Sequence, residues 1–380
     1  MKNYVCLALC AVVVVTCLMG CGKQDDVEPN VTQGSTENLS TTESVAPQTQ
    51  HITQEICDNL TIDADAVIPE KMQYGTYTLK MVDCTPERLF SIFDPEGTGS
   101  YETADRSSPG YPYYVYTKTD GSKIVVQDNT IKYSSYNINM GGQPMQEVSN
   151  LMYYYTQKYP IAQPHNLSFA TVAEMEAYCR NVLTELGVVW DMERIQCVTL
   201  SGQEILDFQS EMFTDSSYTE FGTPMTLTEA EDTCYMVFSF SYDGVPLLGS
   251  DEPNISSYVS MFPTPSAYAT LMINADGLQD CEVFYPCTLE PASDPQTILS
   301  LEEATAALKA KYDLEILFEA QVITEIWMEY IPVMQNENWA LVPYWCFVSK
   351  AEERLDSPVG DYENADRINA ITGKDLAYGG

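Results

Sequence analysis

The sequence predicts an α+β protein in which antiparallel sheets each carry a principal packing helix, after a β-rich N-terminal region. Segments 171–187 and 300–313 place apolar residues at helical spacing behind a start signal. Most of the remaining body consists of short alternating runs broken by Gly, Pro, Asn and Asp, the pattern of strands and turns. Helix and strands also recur in the same order, which suggests an internal duplication of an α-β-β-β unit, with chance recurrence of common elements as the alternative. The expected boundaries are a signal peptide at 1–20, a lipid-anchored disordered tether at 21–54, a β-rich region at 55–165, one α+β unit at 166–290 and a second at 291–380.

The N-terminal elements come first. Lys2 precedes an apolar run, Tyr4–Gly20, whose length lies at the lower edge of a bilayer span and whose weakly charged start reads as a signal peptide. Its exit, Leu18-Met19-Gly20-Cys21, resembles a bacterial lipobox, in which cleavage precedes a cysteine that becomes lipidated. Cys21 is therefore the expected lipidation site. Acyl chains such as palmitate supply the anchor, since each buried methylene contributes about 0.8 kcal/mol. The expected location is the extracytoplasmic face of the cell membrane, and a retained N-terminal helix is the alternative. Residues 22 to about 54 contain no aromatic side chain and are rich in Ser, Thr, Gln, Asn and Glu, too polar to order themselves.

Charge narrows the partners. The 380 residues hold 18 Lys and Arg against 55 Asp and Glu, a formal charge of −37, which leaves no basic footprint for nucleic acid. At 45% hydrophobic and 11% aromatic, the chain nonetheless has the material for real cores.

Between 55 and 165 the runs 74–82, 113–128 and 131–145 read as strands, and Thr119-Asp120-Gly121-Ser122 reads as a hairpin turn. From Thr171 a helix begins, with Thr171 and Glu174 spaced as a capping box and Gly187 as its stop. Strand 188–200, a short helix at 201–213, and strands within 234–248 and 267–287 come next, with turns at Asp243-Gly244 and Asp276-Gly277. A second capped helix spans 300–313, with Ser300 and Glu303 as its box and Ala304, Ala307, Leu308 and Tyr312 on one face. Strands at 320–334, 338–351 and 367–376 complete the chain, and Asn336-Glu337-Asn338 forms the bend between the first two.

The segment Asn338–Val348 carries the aromatic interaction candidates Trp339, Tyr344 and Trp345. Alternation puts Trp339, Leu341, Pro343, Trp345 and Phe347 on one face and Ala340, Val342, Tyr344, Cys346 and Val348 on the other, so both faces are apolar. Pro343 lacks a ladder donor, which points to a sheet edge or a bulge. Such a strand must be covered, by the helix at 301–312 and the first region or by a partner protein. Eleven of the 26 tyrosines fall within 101–160, and Tyr111, Tyr113, Tyr114 and Tyr116 form a second candidate surface, for a glycan or a peptide. The same tyrosines also suit a half-buried sheet.

Twelve cysteines are present, eight of them in the body without a CxxC, so neither a zinc ribbon nor a thioredoxin-like motif is expected. Export permits disulfides, with Cys281 and Cys287 as the first pair to consider; buried free thiols are the alternative.

With these residues in view, the C-terminal half resembles PepSY-type domains and the extracellular regulatory proteins YycI and YycH. The resemblance rests on ALxxKY in a helix, then a strand entering YIPV, then LVPYWCF and INAITG, and covers roughly 170–376. It is also similar to gut Gram-positive lipoproteins known only as a domain of unknown function. Proteins of the YycI and YycH type restrain a membrane sensor kinase and are held by a transmembrane helix. This chain departs from them in its lipid anchor.

The two histidines, His51 and His165, have no flanking catalytic signature, and GxSxG, HExxH and GxGxxG are absent. The acidic stretch 94–102 and Asn274–Gly277 lack EF-hand spacing, so no metal or cofactor is expected. The expected role is a non-enzymatic binding or regulatory module; a carbohydrate-binding or carbohydrate-active surface lipoprotein and a structural envelope protein are the alternatives. Expected partners are the membrane, through the lipid, and an envelope protein or glycan.

Overall fold

The computed structural model describes residues 48–376 except 96–99, 108–112, 128–129, 137–143, 160–162, 215–225, 249–267, 336–337 and 352–363. The signal peptide, Cys21, most of the tether, Tyr111 and the bend residues Asn336 and Glu337 lie outside the described residues. The described residues form one compact unit.

This unit opens with β1 (Gln48–Cys57), so the last residues assigned to the tether are strand. A turn at Asn59, which adopts the left-handed conformation at φ 66°, leads to β2 (Leu60–Ile68). After β3 (Gln73–Tyr74) and β4 (Tyr77–Met81), α1 (Pro86–Phe93) starts with Pro86 in its first turn. Then β5 (Tyr101–Asp105), β6 (Tyr113–Lys118), β7 (Lys123–Gln127) and β8 (Thr130–Ser134) form an antiparallel meander. The expected hairpin joins β6 and β7, with Gly121 at φ 99° as the turn requires.

Two helices in this region run against the β-rich expectation. One is α1. The other is α2 (Pro144–Lys158), which replaces the end of the strand expected over 131–145 and continues through the tyrosine-dense run at 153–155. Packing decides this against β propensity: Val148, Leu151 and Met152 of α2 bury against a helix and a sheet face further along the chain.

Next, α3 (Val172–Leu186), β9 (Asp191–Leu200), α4 (Gly202–Met212), β10 (Thr233–Tyr242), β11 (Val245–Pro246), β12 (Tyr268–Asn274) and β13 (Gly277–Phe284) match the expected order. Thr171 with Glu174 and Ser201 with Glu204 form complete capping boxes, and Gly187 at φ 91° ends α3. A Cβ on Gly202 would meet the Ala230 carbonyl oxygen at 2.0 Å, so this helix start admits only glycine. Tyr285, at φ 49°, turns the chain into β14 (Cys287–Pro291), then β15 (Gln296–Thr297). Last come α5 (Leu301–Tyr312), capped by Ser300 and Glu303, β16 (Gln321–Gln335), β17 (Asn338–Ala351) and β18 (Asn364–Asn369).

Among the described residues the strands form two large sheets. The first runs β1-β2-β16-β17-β4-β14, with β18 also on β17; it is antiparallel except where β2 lies parallel to β16. The second runs β11-β10-β12-β13-β8-β7-β6-β5, with β9 on β10, and is antiparallel throughout. Each sheet thus combines strands from regions that read as separate along the chain. The main core lies between the sheets' inner faces and helices α1, α3 and α5. A second core forms on the other face of the second sheet, where Val198, Leu200 and Met272 meet α2 and α4.

The sheets join at an aromatic cluster. Tyr77, Tyr242 and Tyr330 stand edge to face with centroids 5.0 to 6.2 Å apart, Tyr74 packs on Tyr330, and Leu248 N–H donates to Tyr330 O at 2.9 Å.

Strand β17 corrects the edge expectation. It is an interior strand, with β16 on one side and β4 and β18 sharing the other. The Pro343 carbonyl accepts from Ala370 N–H on the β18 side. A strand residue's N and O point the same way, so the missing donor faces the seam between the end of β4 pairing at Leu341 and the start of β18 pairing at Tyr344. The two-face reading of this segment holds: Trp339, Leu341, Trp345 and Phe347 pack in the main core, while Ala340, Val342 and Tyr344 form a separate cluster with Leu248 and Ile331.

On that second face Glu329 of β16 and Arg367 of β18 form an ion pair across β17, 2.7 Å long with both side chains 1% exposed. Removing one partner strands a buried charge. Arg367→Met should therefore lower stability by about 3–5 kcal/mol, and Glu329→Met combined with Arg367→Met should cost less than Arg367→Met alone, as read from urea midpoints.

Candidate interaction surface

The segment after α5 is the most unusual surface of the described residues. The helix ends without glycine, and Leu314 N–H and Glu315 N–H donate back to Lys311 O and Tyr312 O at 3.1 and 3.2 Å. Leu317 then turns inward onto the core, and its carbonyl accepts from Asn59 Nδ2 at 3.0 Å. The Asn59 carbonyl in turn accepts from Gln321 N–H at 2.8 Å, where β16 begins. One asparagine in the β1–β2 turn therefore holds the segment at two points.

Pinning Leu317 inward leaves its neighbours facing water. Leu314, Ile316 and Phe318 are 89%, 80% and 92% exposed, three large apolar side chains at two-residue spacing. Scattered exposed apolar residues are ordinary; three large ones within five residues make this segment a candidate contact surface. Asp58, Glu315 and Glu319 are exposed around it and form no ion pair among the described residues.

The residues that the sequence singled out lie elsewhere. Trp345 is buried and its Nε1–H donates to Leu299 O at 3.0 Å; Tyr344 is buried on the opposite face; Trp339 is half-buried against the core. Both faces of β17 are covered, one by the main core and the other by Leu248 and Ile331, so Trp345 and Tyr344 are packing residues. Tyr116 is buried under Tyr114, whose ring lies nearly parallel at 6.4 Å, and under Tyr101, edge to face at 6.3 Å. Tyr113 points the other way, beneath the Arg106 guanidinium at 5.8 Å.

All eight body cysteines are free thiols, so the Cys281–Cys287 pairing is not made. Cys281 lies in β13 of one sheet and Cys287 opens β14 in the other, with the Tyr285 turn between them. Cys179, Cys197, Cys234 and Cys281 line the main core beneath α3, and the Cys197 and Cys234 thiols touch diagonally across β9 and β10. Burial pushes the Cys179 and Cys281 thiols well above their ordinary range, which removes them as nucleophiles at neutral pH.

His165 reaches Glu204 Oε2 at 3.4 Å, but the nearby Ser201 hydroxyl donates to that same carboxylate, at 2.7 Å, in its capping box. A hydrolytic triad needs the hydroxyl on the imidazole, so this set works as a helix start. His51 sits on β1 between Asp63 and Asp65, at 3.2 and 2.9 Å. Among the described residues no group of His, Cys, Asp and Glu is arranged to hold a metal ion, and no helix is long and apolar enough to cross a membrane.

A polar cluster on the second sheet is the other notable electrostatic feature. Asp280 Oδ2 accepts from Tyr136 Oη at 2.8 Å and from Ser134 Oγ at 3.1 Å, and burial pushes its carboxyl up to about 6.

A scan of protein-family models finds none that matches the chain, and a search of curated proteins finds no match. Among solved structures, the fold is similar to that in the crystal structure of an uncharacterized protein from Eubacterium rectale, with a TM-score of 0.50 and 13% identity over 87% of this chain and 94% of that chain. At that identity the likeness concerns the fold alone.

The Asp280 geometry carries a pH signature. Its folded value lies above the ordinary 3.8, so the stability it contributes is present below pH 4 and is lost as pH rises through 6. Asp280→Asn keeps an acceptor for Tyr136 without the charge. It should be more stable than the parent at pH 7 by about 1–3 kcal/mol, with the difference vanishing near pH 4, in denaturant titrations across that range.

Proposed function

We propose that the chain is an extracytoplasmic lipoprotein, held to the cell membrane through acylated Cys21, that acts as a non-enzymatic binding or regulatory module. The exposed Leu314-Ile316-Phe318 surface carries the binding half of this reading: three large apolar side chains left in water by a pinned loop fit a partner that covers them. The anchor half rests on the apolar run that ends in Leu18-Met19-Gly20-Cys21 and the polar stretch after it. Tyr114 and Tyr116 stack on each other, so their faces offer little to a sugar ring, which ranks the carbohydrate reading second.

The same proposal takes 171–287 and 300–376 as two copies of one PepSY-like α-β-β-β unit. Several correspondences support it. A capped helix precedes the adjacent strands β9-β10-β12 in one and β16-β17-β18 in the other. Each third strand ends in an asparagine turn, where Asn274 Oδ1 accepts from Asp276 N–H at 2.9 Å and Asn369 Oδ1 from Ile371 N–H at 3.0 Å.

Metabolic labelling with an alkynyl palmitate, followed by fractionation, tests the anchor. The parent should carry label in the membrane fraction, and Cys21→Ser should lose the label and leave the membrane; a product that retains Met1–Gly20 or an unacylated Cys21 would refute it. For the surface, Leu314→Ser, Ile316→Ser and Phe318→Ser should each change stability by no more than about 0.5 kcal/mol, yet together abolish partner capture by crosslinking in intact cells.

A further inference from the structure

The geometry points to a protein partner whose apolar groove is rimmed by lysine or arginine as the occupant of the Leu314–Phe318 surface, an inference that rests on reading the chain as a binding module. The three side chains alternate with Glu315, Leu317 and Glu319. Asn59 Nδ2 holds the Leu317 carbonyl and the Asn59 carbonyl holds Gln321 N–H, so the segment is tied to the β1–β2 turn while Leu314, Ile316 and Phe318 stay in water. Three large side chains that stand in water fit a groove that encloses them more closely than a flat surface does.

Charge selects among the occupants. Asp58 of the β1–β2 turn, Glu315 and Glu319 are exposed beside these side chains, while the nearby Lys309 is already paired with Asp313 at 2.7 Å, on a chain of net charge −37. A second copy of this chain would bring two such acidic sets together, and an anionic bilayer surface would meet the same repulsion. A cationic rim supplies the missing counter-charge and steers the approach, while the apolar groove supplies the affinity.

The test places the photo-reactive residue p-benzoylphenylalanine at position 316 of the full chain in intact cells, with the crosslinked peptides sequenced. The expected adduct is a protein peptide that combines apolar residues with Lys or Arg, and its yield should fall at least about fivefold in Glu315→Lys with Glu319→Lys and fall again in high salt. The charge-reversed chain should keep the parent's thermal midpoint, since both positions are exposed. Adducts only to lipid, to a second copy or to the chain itself, no adduct at all, or a protein adduct indifferent to charge reversal and salt would each overturn the proposal. Failure of the anchor reading appears separately, as an unlabelled Cys21. A protein adduct that ignores charge would leave the binding-module reading standing and remove this partner class.

Discussion

A strand that is apolar on both faces has to sit inside a sheet and be covered twice, and β17 imposes that requirement on everything around it. Each position from Leu341 to Lys350 is buried. One face meets α5 and the main core through Trp345 and Phe347, and the other joins Leu248 and Ile331. Its length of fourteen residues matches the fifteen of β16, and the opposite side is long enough for β4 and β18 end to end. Pro343 is tolerated because it falls at the seam between those two neighbours, where no ladder donor is needed.

Register in this sheet depends on what a slip would do. Shifting β18 by one residue would turn Arg367 into the main core and Ile368 out of it. The ion pair to Glu329, nearly free of solvent, penalises any arrangement that leaves either charge unmatched, although the pair itself adds little net stability over an apolar replacement. On the inner face, Asp366 accepts from Tyr312 Oη and pairs with Lys311, each at 2.7 Å, which fastens α5 to the same strand.

The two sheets meet through tyrosines for a physical reason. Tyr330 buries its ring among Tyr74, Tyr77 and Tyr242 while its hydroxyl donates to Gly75 O at 3.2 Å, so a polar tip is satisfied where an apolar body is required. This joint and the β1–β2 turn work at different places in the first sheet. The joint packs side chains inward; the turn, through Asn59, leaves Leu314, Ile316 and Phe318 outside. The backbone beneath these exposed side chains is held at Leu317 and Gln321.

Local chemistry alone determined much of the architecture. The capping boxes at Thr171, Ser201 and Ser300, the glycine stop at 187, and the Asp-Gly turns at 120–121, 243–244 and 276–277 act within a few residues, so their effect is legible without a partner. The two-face pattern of 338–348 was legible for the same reason. What packs against what was not. Helix α2 runs through Tyr153–Tyr155, whose composition favours strands, because Val148, Leu151 and Met152 gain a core there. Nothing in the local sequence singled out segment 314–318, which is held by a hydrogen bond from Asn59, 258 residues away in sequence, with Leu314, Ile316 and Phe318 exposed. Long-range contacts of that kind leave no local trace, so the tertiary structure decided which aromatic and aliphatic residues became core and which became surface.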